Sequence, residues 1–411
     1  MDKKMSKPLQ GLKVVELSHL IAGPYCCMLL GGEGADVIKI EPPQGELSRH
    51  REPIRRAGDK TFSAYFAALN RNKRSLVLDL KNETGMATFR RILAEADVLV
   101  TNMRAKALAR LGLHPKTIRN DLPRLVIACI SGFGLERAGD YTDRAGLAMV
   151  AEALSGSISL SRDHAGNPVW CGFALGDIAA GMTAHSAILL ALRNQEKYGE
   201  GALLDLSLTE SMLPMVSVAL SRVQVTAGSE NATTTPNDFH GIPYGAYRAA
   251  DGHISIGVNS DAFWKRFCVG IGRPDLGQDP RYATYLERAK RHDEVNEITE
   301  QFTSVHTREK ITELLNKVDV PVAPILNMRE VLAQGYFQTR GALQEFDDGI
   351  GGKITLPVDP TSYETVSSNS IAPQLGEHRD QILAEYLGLD QGAIDALGAS
   401  GAFGGQKQVI I

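Results

Sequence analysis

A chain of 411 residues is long enough for two or three domains and a sizeable core. Its 44 Lys and Arg stand against 48 Asp and Glu, a formal charge of −4, so no net field recruits nucleic acid or an anionic membrane; a polyanionic ligand has to be held by a local cluster of cations. With 43% hydrophobic and 22% charged residues, the composition is that of a globular enzyme and excludes a disordered, collagen-like or disulfide-dense chain.

In chain order, Lys13–Leu17 (KVVEL) predicts a strand, followed by a loop ending in Gly23-Pro24, a helix over Tyr25–Leu30 and a second strand over Asp36–Glu41 (DVIKIE). The βαβ pattern recurs. Strands are expected at Ser75–Leu80, Asp97–Asn102 and Arg124–Ser131, with helices around Met86–Glu95 and Ala105–Leu111 between them. Strands alternating with helices predict an α/β fold: a mainly parallel, Rossmann-like sheet with ligands at the carboxyl ends of its strands. A helix (Leu147–Leu154), a strand-like ISLS, a turn over His164–Pro168 and a long helix over Ile178–Arg193 follow. A strand over Leu203–Leu208 and a helix over Glu210–Val225 complete this half. The Ser, Thr, Asn and Pro-rich segment Gly228–Asn237 is the best linker. Beyond it, Gly245–Val258 predicts a hairpin turning at Asp251-Gly252, both expected at φ > 0, and helical patterns run to about Val318. VPVAPILN (Val320–Asn327) is expected to return to the first layer, and the Gly/Ala-rich tail Ala396–Gly405 to be peripheral. Domain boundaries are therefore placed at 1–225, 226–325 and 326–411, the first and last forming a large domain and the middle a small one.

The longest run without Asp, Glu, Lys or Arg, Ile178–Leu192, spans 15 residues and contains His185, short of the ~18 of a membrane helix. Lys13 and Glu16 interrupt the N-terminal apolar stretch before a signal h-region forms. The five cysteines (Cys26, Cys27, Cys129, Cys171, Cys268) form no CxxC pair, so neither a metal site nor a disulfide framework is expected, and reduced thiols in the cytoplasm fit best.

No GxxxxGK[ST], GxSxG or HExxH motif is present, and the first βα turn, SHLIAGP, lacks GxGxxG. Cations near predicted strand ends are the remaining signal for an anionic ligand: Lys39 and Arg49, the NRNKR run Asn70–Arg74, Lys81, then Arg104, Lys106 and Arg110. They read either as solvated surface or as phosphate ligands. Asp177 opens a helix of small and apolar residues after a glycine-punctuated loop. It reads either as an N-cap or as a nucleophilic carboxylate, glycines around it letting a bulky thioester approach. Cys26 and Cys171 are expected to be small core residues.

Together these segments resemble the family III CoA-transferases, which include formyl-CoA:oxalate and carnitine CoA-transferases and α-methylacyl-CoA racemase. The resemblance runs from PLQGLKVVELSHLIAGPYCCMLLGGEGADVIKIEPPQGE through NRNKRSLVLDLK, DVLVTNMRAKALARLGL, CISGFG and GNPVWCGFALGDIAAG to PYGAYRAADGHISIGV, VPVAPILN and LGEHRDQIL. It implies a Rossmann-like large domain with a smaller α+β domain inserted, and an interlocked homodimer. It implies Asp177 as the nucleophile that passes CoA between acids through an aspartyl-CoA thioester. CoA or acyl-CoA is then substrate, with no metal, and the partners are an acyl-CoA donor and a carboxylic acid acceptor, not nucleic acid or membrane. By position, His19, Leu20, Ile21, Ala22, Leu78, Lys81, Asn102, Met103, Arg104 and Arg110 match the CoA-binding residues. Ile21 replaces a family Gln and Met103 the common Phe. Pro42 replaces an Arg of the formyl-CoA enzyme, whose glycine-rich loop has no counterpart around FHGIPYGAY, which argues against formyl-CoA:oxalate specificity. His240 and Tyr244 in that segment are candidates for the acyl or acceptor pocket. The expected donor is succinyl-CoA or acetyl-CoA and the acceptor a carboxylic or dicarboxylic acid. A racemase or epimerase is the alternative, but its base, a His, is matched by Leu147 with Ala148 beside it. A non-catalytic CoA-binding protein is the third reading.

Overall fold

The computed structural model describes residues 7–58, 60–136, 138–142, 144–163, 166–226, 241–358 and 370–404. Among these, the residues up to Ser159, from Val169 to Val218 and from Gln338 onward form one compact unit, and Leu160–Pro168 with Ala219–Phe337 form a second. The division falls at 218 and 337, against the 225 and 325 expected from the linkers. The later boundary moves because Glu330 of the helix Met328–Ala333 pairs with Arg308 at 2.7 Å, tying that helix to the second unit. Gly228–Asn237 and His240 lie outside the described residues.

The larger unit is built on β1 (Lys13–Leu17), β2 (Asp36–Glu41), the hairpin β3 (Ile54–Ala57) and β4 (Lys60–Ser63), then β5 (Arg74–Val77), β6 (Val98–Thr101), β7 (Val126–Ser131) and β8 (Leu203–Ser207). Six of them form one sheet in the order β5-β2-β1-β6-β7-β8, every neighbouring pair parallel. Numbered among themselves along the chain, they run 3-2-1-4-5-6, the order of doubly wound nucleotide-binding sheets, which reverses between β1 and β6.

These strands are apolar on both faces because both are covered. Alternate residues divide between two cores. Val15, Ile38, Ile40 and Leu76 pack with Phe89 and Ile92 of the helix Glu83–Ala94 and with Ile382 and Leu383 of the C-terminal helix Arg379–Leu387. Val14, Val37, Val98, Val100 and Val126 face the opposite way, onto Cys26 and Leu30 of the helix Ala22–Gly32 and Ala180, Ala184 and Ile188 of the helix Leu175–Tyr198. That last helix is long and apolar enough to cross a membrane, but half of its most apolar window is buried in this core. Gly181 lets the two helices touch: a Cβ there would lie 2.8 Å from the Ala22 carbonyl oxygen.

The second unit contains the predicted hairpin, β9 (Tyr244–Ala249) and β10 (Gly252–Gly257), packed on Trp264, Phe267, Val295 and Ile311. Only Gly252 takes positive φ at the turn; Asp251 does not, and its carboxylate accepts the Arg308 backbone N–H at 2.8 Å. VPVAPILN does not return to the large sheet. Its strand β11 (Val322–Pro324) pairs antiparallel with β10 at the edge of that sheet, the position where Pro324, lacking an N–H, is tolerated. The ISLS segment is a 3₁₀ turn, Ser157–Leu160, its Ser159 hydroxyl donating back to the Gly156 carbonyl. A last hairpin in the large unit, β12 (Leu343–Asp347) and β13 (Lys353–Pro357), packs Phe346 and Leu356 against Phe62 and Phe66.

Candidate active site

The site begins with a buried charge cluster beneath the loop after β1. The side chains of Glu16, Lys39 and Lys73 are all 0% exposed, and both lysine Nζ atoms lie 2.7 Å from a Glu16 carboxylate oxygen. Burial alone would raise the Glu16 carboxyl, but the two lysines hold it down at about 2. The lysines also pin the two ends of the loop: Lys39 donates to the Ser18 carbonyl at 3.1 Å and Lys73 to the Pro24 carbonyl at 2.8 Å. Between them Leu20 sits at φ +64°, its N–H held by Glu46 Oε2 at 3.2 Å. Gly23 is required here, since a Cβ would lie 2.5 Å from the Ser18 side chain.

Several cations expected to meet a phosphate are therefore structural. Lys39 and Lys73 serve Glu16; Arg49 forks onto Glu41 at 2.6 and 2.7 Å; Arg74 joins Asp36 and Glu385. Arg71 is buried beside the Met28 sulfur at 3.6 Å. Sequence proximity to a strand end did not separate inward from outward cations, because alternate residues of one strand face opposite ways.

Asp177 stands in the first turn of the helix Leu175–Tyr198, whose N-cap is Ala174 without a side-chain cap, so Asp177 is not the N-cap. It lines a cavity of about 710 Å³ with His19, Leu20, Ile21, Ala22, Asn102, Met103 and Arg104. Burial, with the nearby Glu152 adding to it, pushes the Asp177 carboxyl up to about 6. Tyr65 lines the same cavity; burial and then the Asp177 charge raise its phenol, which stays protonated. Burial holds the His19 imidazole below its usual value, so near neutral pH it offers a neutral ring to a ligand. Arg51, Arg104 and Arg144 bring positive charge to the wall. Gly176 is not left open for a ligand: it packs on the helix Ala148–Leu154, where a Cβ would lie 3.1 Å from the Ala148 carbonyl.

A neighbouring cavity of about 330 Å³ shares His19 and Met103 and adds Leu78 and Lys81. A third, of about 550 Å³, shares Lys81 and Leu111 and adds Arg90 and Arg110. The three form a run along the carboxyl edge of β1, β2, β5 and β6, and Asp177 and each of the residues matched by position to CoA binding line at least one of them. Glu152, Tyr65, Trp170, Arg51, Arg90 and Arg144 were not among those. Glu152 carried a signal, as the charged residue in the otherwise apolar and small LAMVAEALSG; the others belong to no motif.

Tyr244 is an exposed residue of β9 in the second unit, and Cys171 is exposed rather than core. Among the described residues no three His, Cys, Asp or Glu side chains gather as metal ligands.

Such a site, with a carboxylate and three arginines at one end of a groove and further cations at the other, is that of an α/β enzyme. The sequence matches the model of CoA-transferase family III over residues 9–379. It is 32% identical over 385 residues to the succinyl-CoA:mesaconate CoA-transferase of Haloarcula hispanica, covering 92% of this chain and 96% of that one. It is 30% identical over 405 residues to the succinyl-CoA:glutarate CoA-transferase of Mus musculus, covering 97% and 91%. The crystal structure of a CaiB/BaiF family protein from Brucella suis is similar with a TM-score of 0.81 and 29% identity, covering 93% of this chain and 100% of that one. The chain belongs to CoA-transferase family III.

Proposed function

We propose that this enzyme moves CoA from succinyl-CoA or a similar small acyl-CoA to a dicarboxylic acid, with Asp177 as covalent nucleophile. The observation that carries this reading is the half-buried Asp177 carboxylate, pushed up to about 6, at the mouth of a track that ends in Lys81, Arg90 and Arg110. The names of the relatives, all succinyl-CoA-dependent and acting on mesaconate and glutarate, support the donor and acceptor classes.

An Asp177 oxygen attacks the thioester carbonyl, the C–S bond breaks and CoA leaves as thiolate, giving a mixed anhydride. The thiolate attacks the aspartyl carbonyl and releases the donor acid, leaving an aspartyl-CoA thioester. The acceptor carboxylate displaces CoA from Asp177 as a second anhydride, and the thiolate takes the acceptor acyl group, freeing Asp177. Exclusion of water protects both anhydrides. Lys81, Arg90 and Arg110 bind the distant nucleotide and keep the donor on the enzyme. The Tyr65 hydroxyl is a donor for the developing oxyanion, and Arg51, Arg104 and Arg144 attract the carboxylates of donor and acceptor. Leu147, 65% exposed and lining the Asp177 cavity, offers no base for the α-proton, which favours transfer over racemisation.

The interlocked homodimer belongs to the same proposal. Leu147, Met149, Leu154, Phe173, Met182 and Leu190 are exposed on the large unit, a concentration of apolar side chains that a second copy would cover. A cytoplasmic location is proposed on the five free thiols. The deciding experiment is incubation with succinyl-CoA, quenching with hydroxylamine or borohydride and peptide mapping across Gly172–Arg193. Modification at Asp177 is expected; unmodified Asp177 during active CoA transfer would overturn the mechanism.

A further inference from the structure

Glu152 is a buried carboxylate whose place in the fold the chemistry above does not use. It lies on the helix Ala148–Leu154 and is 1% exposed. Its two oxygens take N–H bonds from two ends of one loop: Oε2 from the Trp170 indole Nε1 at 2.7 Å and Oε1 from the Gly176 backbone N–H at 3.0 Å. Gly176 immediately precedes Asp177, so the second bond fixes the peptide from which the nucleophile projects. Among the described residues, the Glu152 carboxylate takes no ion-pair partner; it accepts only from these N–H groups and, at 4.0 Å, from the Cys171 thiol. An anion buried without a countercharge is costly, and folds retain such groups where function needs them.

We propose that Glu152 is a positioning residue for the covalent step: it ties down the loop 170–176 and keeps a second negative charge beside Asp177, so that acylation of Asp177 relieves repulsion between the two. The inference rests on Asp177 being the nucleophile. Asp177 enters as an anion, forms an O–C bond to the thioester carbonyl and becomes a neutral acyl group, while the electron pair of the broken C–S bond leaves on the CoA sulfur. Two charges face each other before the step and one after it. The upward shift of the Asp177 carboxyl, to which Glu152 contributes after burial, agrees with this arrangement. The other titratable and charged groups lining that cavity are Tyr65, which stays protonated, His19, whose imidazole is held low, and the permanently charged Arg51, Arg104 and Arg144. The charges that act on the His19 imidazole are Glu46 and Lys39, not Glu152, so an acid limb that moves when Glu152 is neutralised is that of Asp177.

The test is the pH dependence of single-turnover adduct formation from succinyl-CoA in the full chain, as wild type, Glu152→Gln and Glu152→Asp, with melting curves to confirm folding. Wild type should lose adduct formation below about pH 6. Glu152→Gln keeps one acceptor oxygen but no charge; its limb should move down by about one pH unit and its plateau rate fall about tenfold. Glu152→Asp keeps the charge on a shorter arm, so its limb should stay closer to that of wild type while its plateau falls. A folded Glu152→Gln protein with an unmoved limb would overturn the proposal, leaving Glu152 a structural clamp. So would a wild-type limb at the ordinary carboxylate value, a result that needs no variant to fold. Absence of any wild-type adduct during turnover would instead remove the nucleophile reading.

Discussion

His19 and Asn102 exchange two hydrogen bonds across the point where the sheet order reverses: the His19 N–H donates to Asn102 Oδ1 at 3.0 Å, and Asn102 Nδ2 donates to the His19 carbonyl at 2.7 Å. The loops after β1 and β6 are thereby joined where a doubly wound sheet binds its ligand. Both ends of the Asn102 amide bond the His19 backbone, so on the proposed function Asn102 acts by shaping this loop. That loop needs support, because Leu20 is held at positive φ, a conformation that persists only when its surroundings over-determine it. Asn102→Ala removes two bonds of ~1 kcal/mol each, part of which the loop recovers by relaxing. CoA affinity measured by titration calorimetry should fall about tenfold, while Asn102→Asp, which keeps the acceptor, should lose less.

The raised carboxyl of Asp177 is also a statement about stability. Its proton binds more tightly in the folded chain than in the unfolded one, so ionisation works against folding. The penalty is fully present above the folded value of about 6, shrinks as pH falls, and is gone below the ordinary 3.8. Above 6 it amounts to about 2–3 kcal/mol. Asp177→Asn should abolish transfer and leave CoA binding largely intact, yet unfold at higher urea than wild type at pH 8. That advantage should disappear by about pH 4. A pH-independent difference between the two proteins would contradict the assignment of the shift to Asp177.

How much of this was legible in the sequence depends on what each residue's role requires. The parallel strands were visible because both faces are buried, which leaves unbroken apolar runs such as VLVT and VIACIS. The β9–β10 hairpin was visible through its Gly252 turn. By contrast β3, β4, β12 and β13 are short pairs with mixed composition, IRRA and KTFS for example, and carry no period to detect. Charge gave the least reliable guide: Lys39 and Lys73 look like phosphate ligands along the chain and turn out to be wholly buried on Glu16, because which face a strand residue takes is set by tertiary packing. Lys81 and Arg110 do face the groove. Glu152 stood out only as a charge in an apolar run; its bonds go to residues 18 and 24 positions further on, and no local pattern encodes those partners.

The cluster of Glu16, Lys39 and Lys73 makes a sharper mutational prediction than any surface pair. Glu16→Gln would remove the carboxylate that both buried ammonium groups touch, a change that costs ~3–5 kcal/mol when one partner of a buried pair is removed. The loop they anchor, from Ser18 to Pro24, should loosen with it, so the urea midpoint and CoA affinity should fall together. The wild-type Glu16 carboxyl is held low, at about 2 against the usual 4.5. Its contribution to stability is therefore complete above pH 4.5 and is lost as pH falls through 2, a loss in acid titrations that Glu16→Gln should not show.

The far end of the track separates binding from chemistry. Lys81 and Arg110 line the cavities remote from Asp177, and both are surface cations whose pull on a phosphate is screened by salt. Their replacement removes charge without touching the nucleophile. Lys81→Ala and Arg110→Ala should each raise the KM for succinyl-CoA by about threefold to tenfold, the range of one exposed charge-assisted contact. At saturating donor, the rate of Asp177 adduct formation should stay within about twofold of wild type, because bound thioester meets an unchanged site. The KM penalty should be largest at low ionic strength and shrink toward 0.5 M salt, where the wild-type contacts are themselves screened. Equal losses in KM and in the adduct rate would mean that these cations help place the thioester as well as hold the nucleotide.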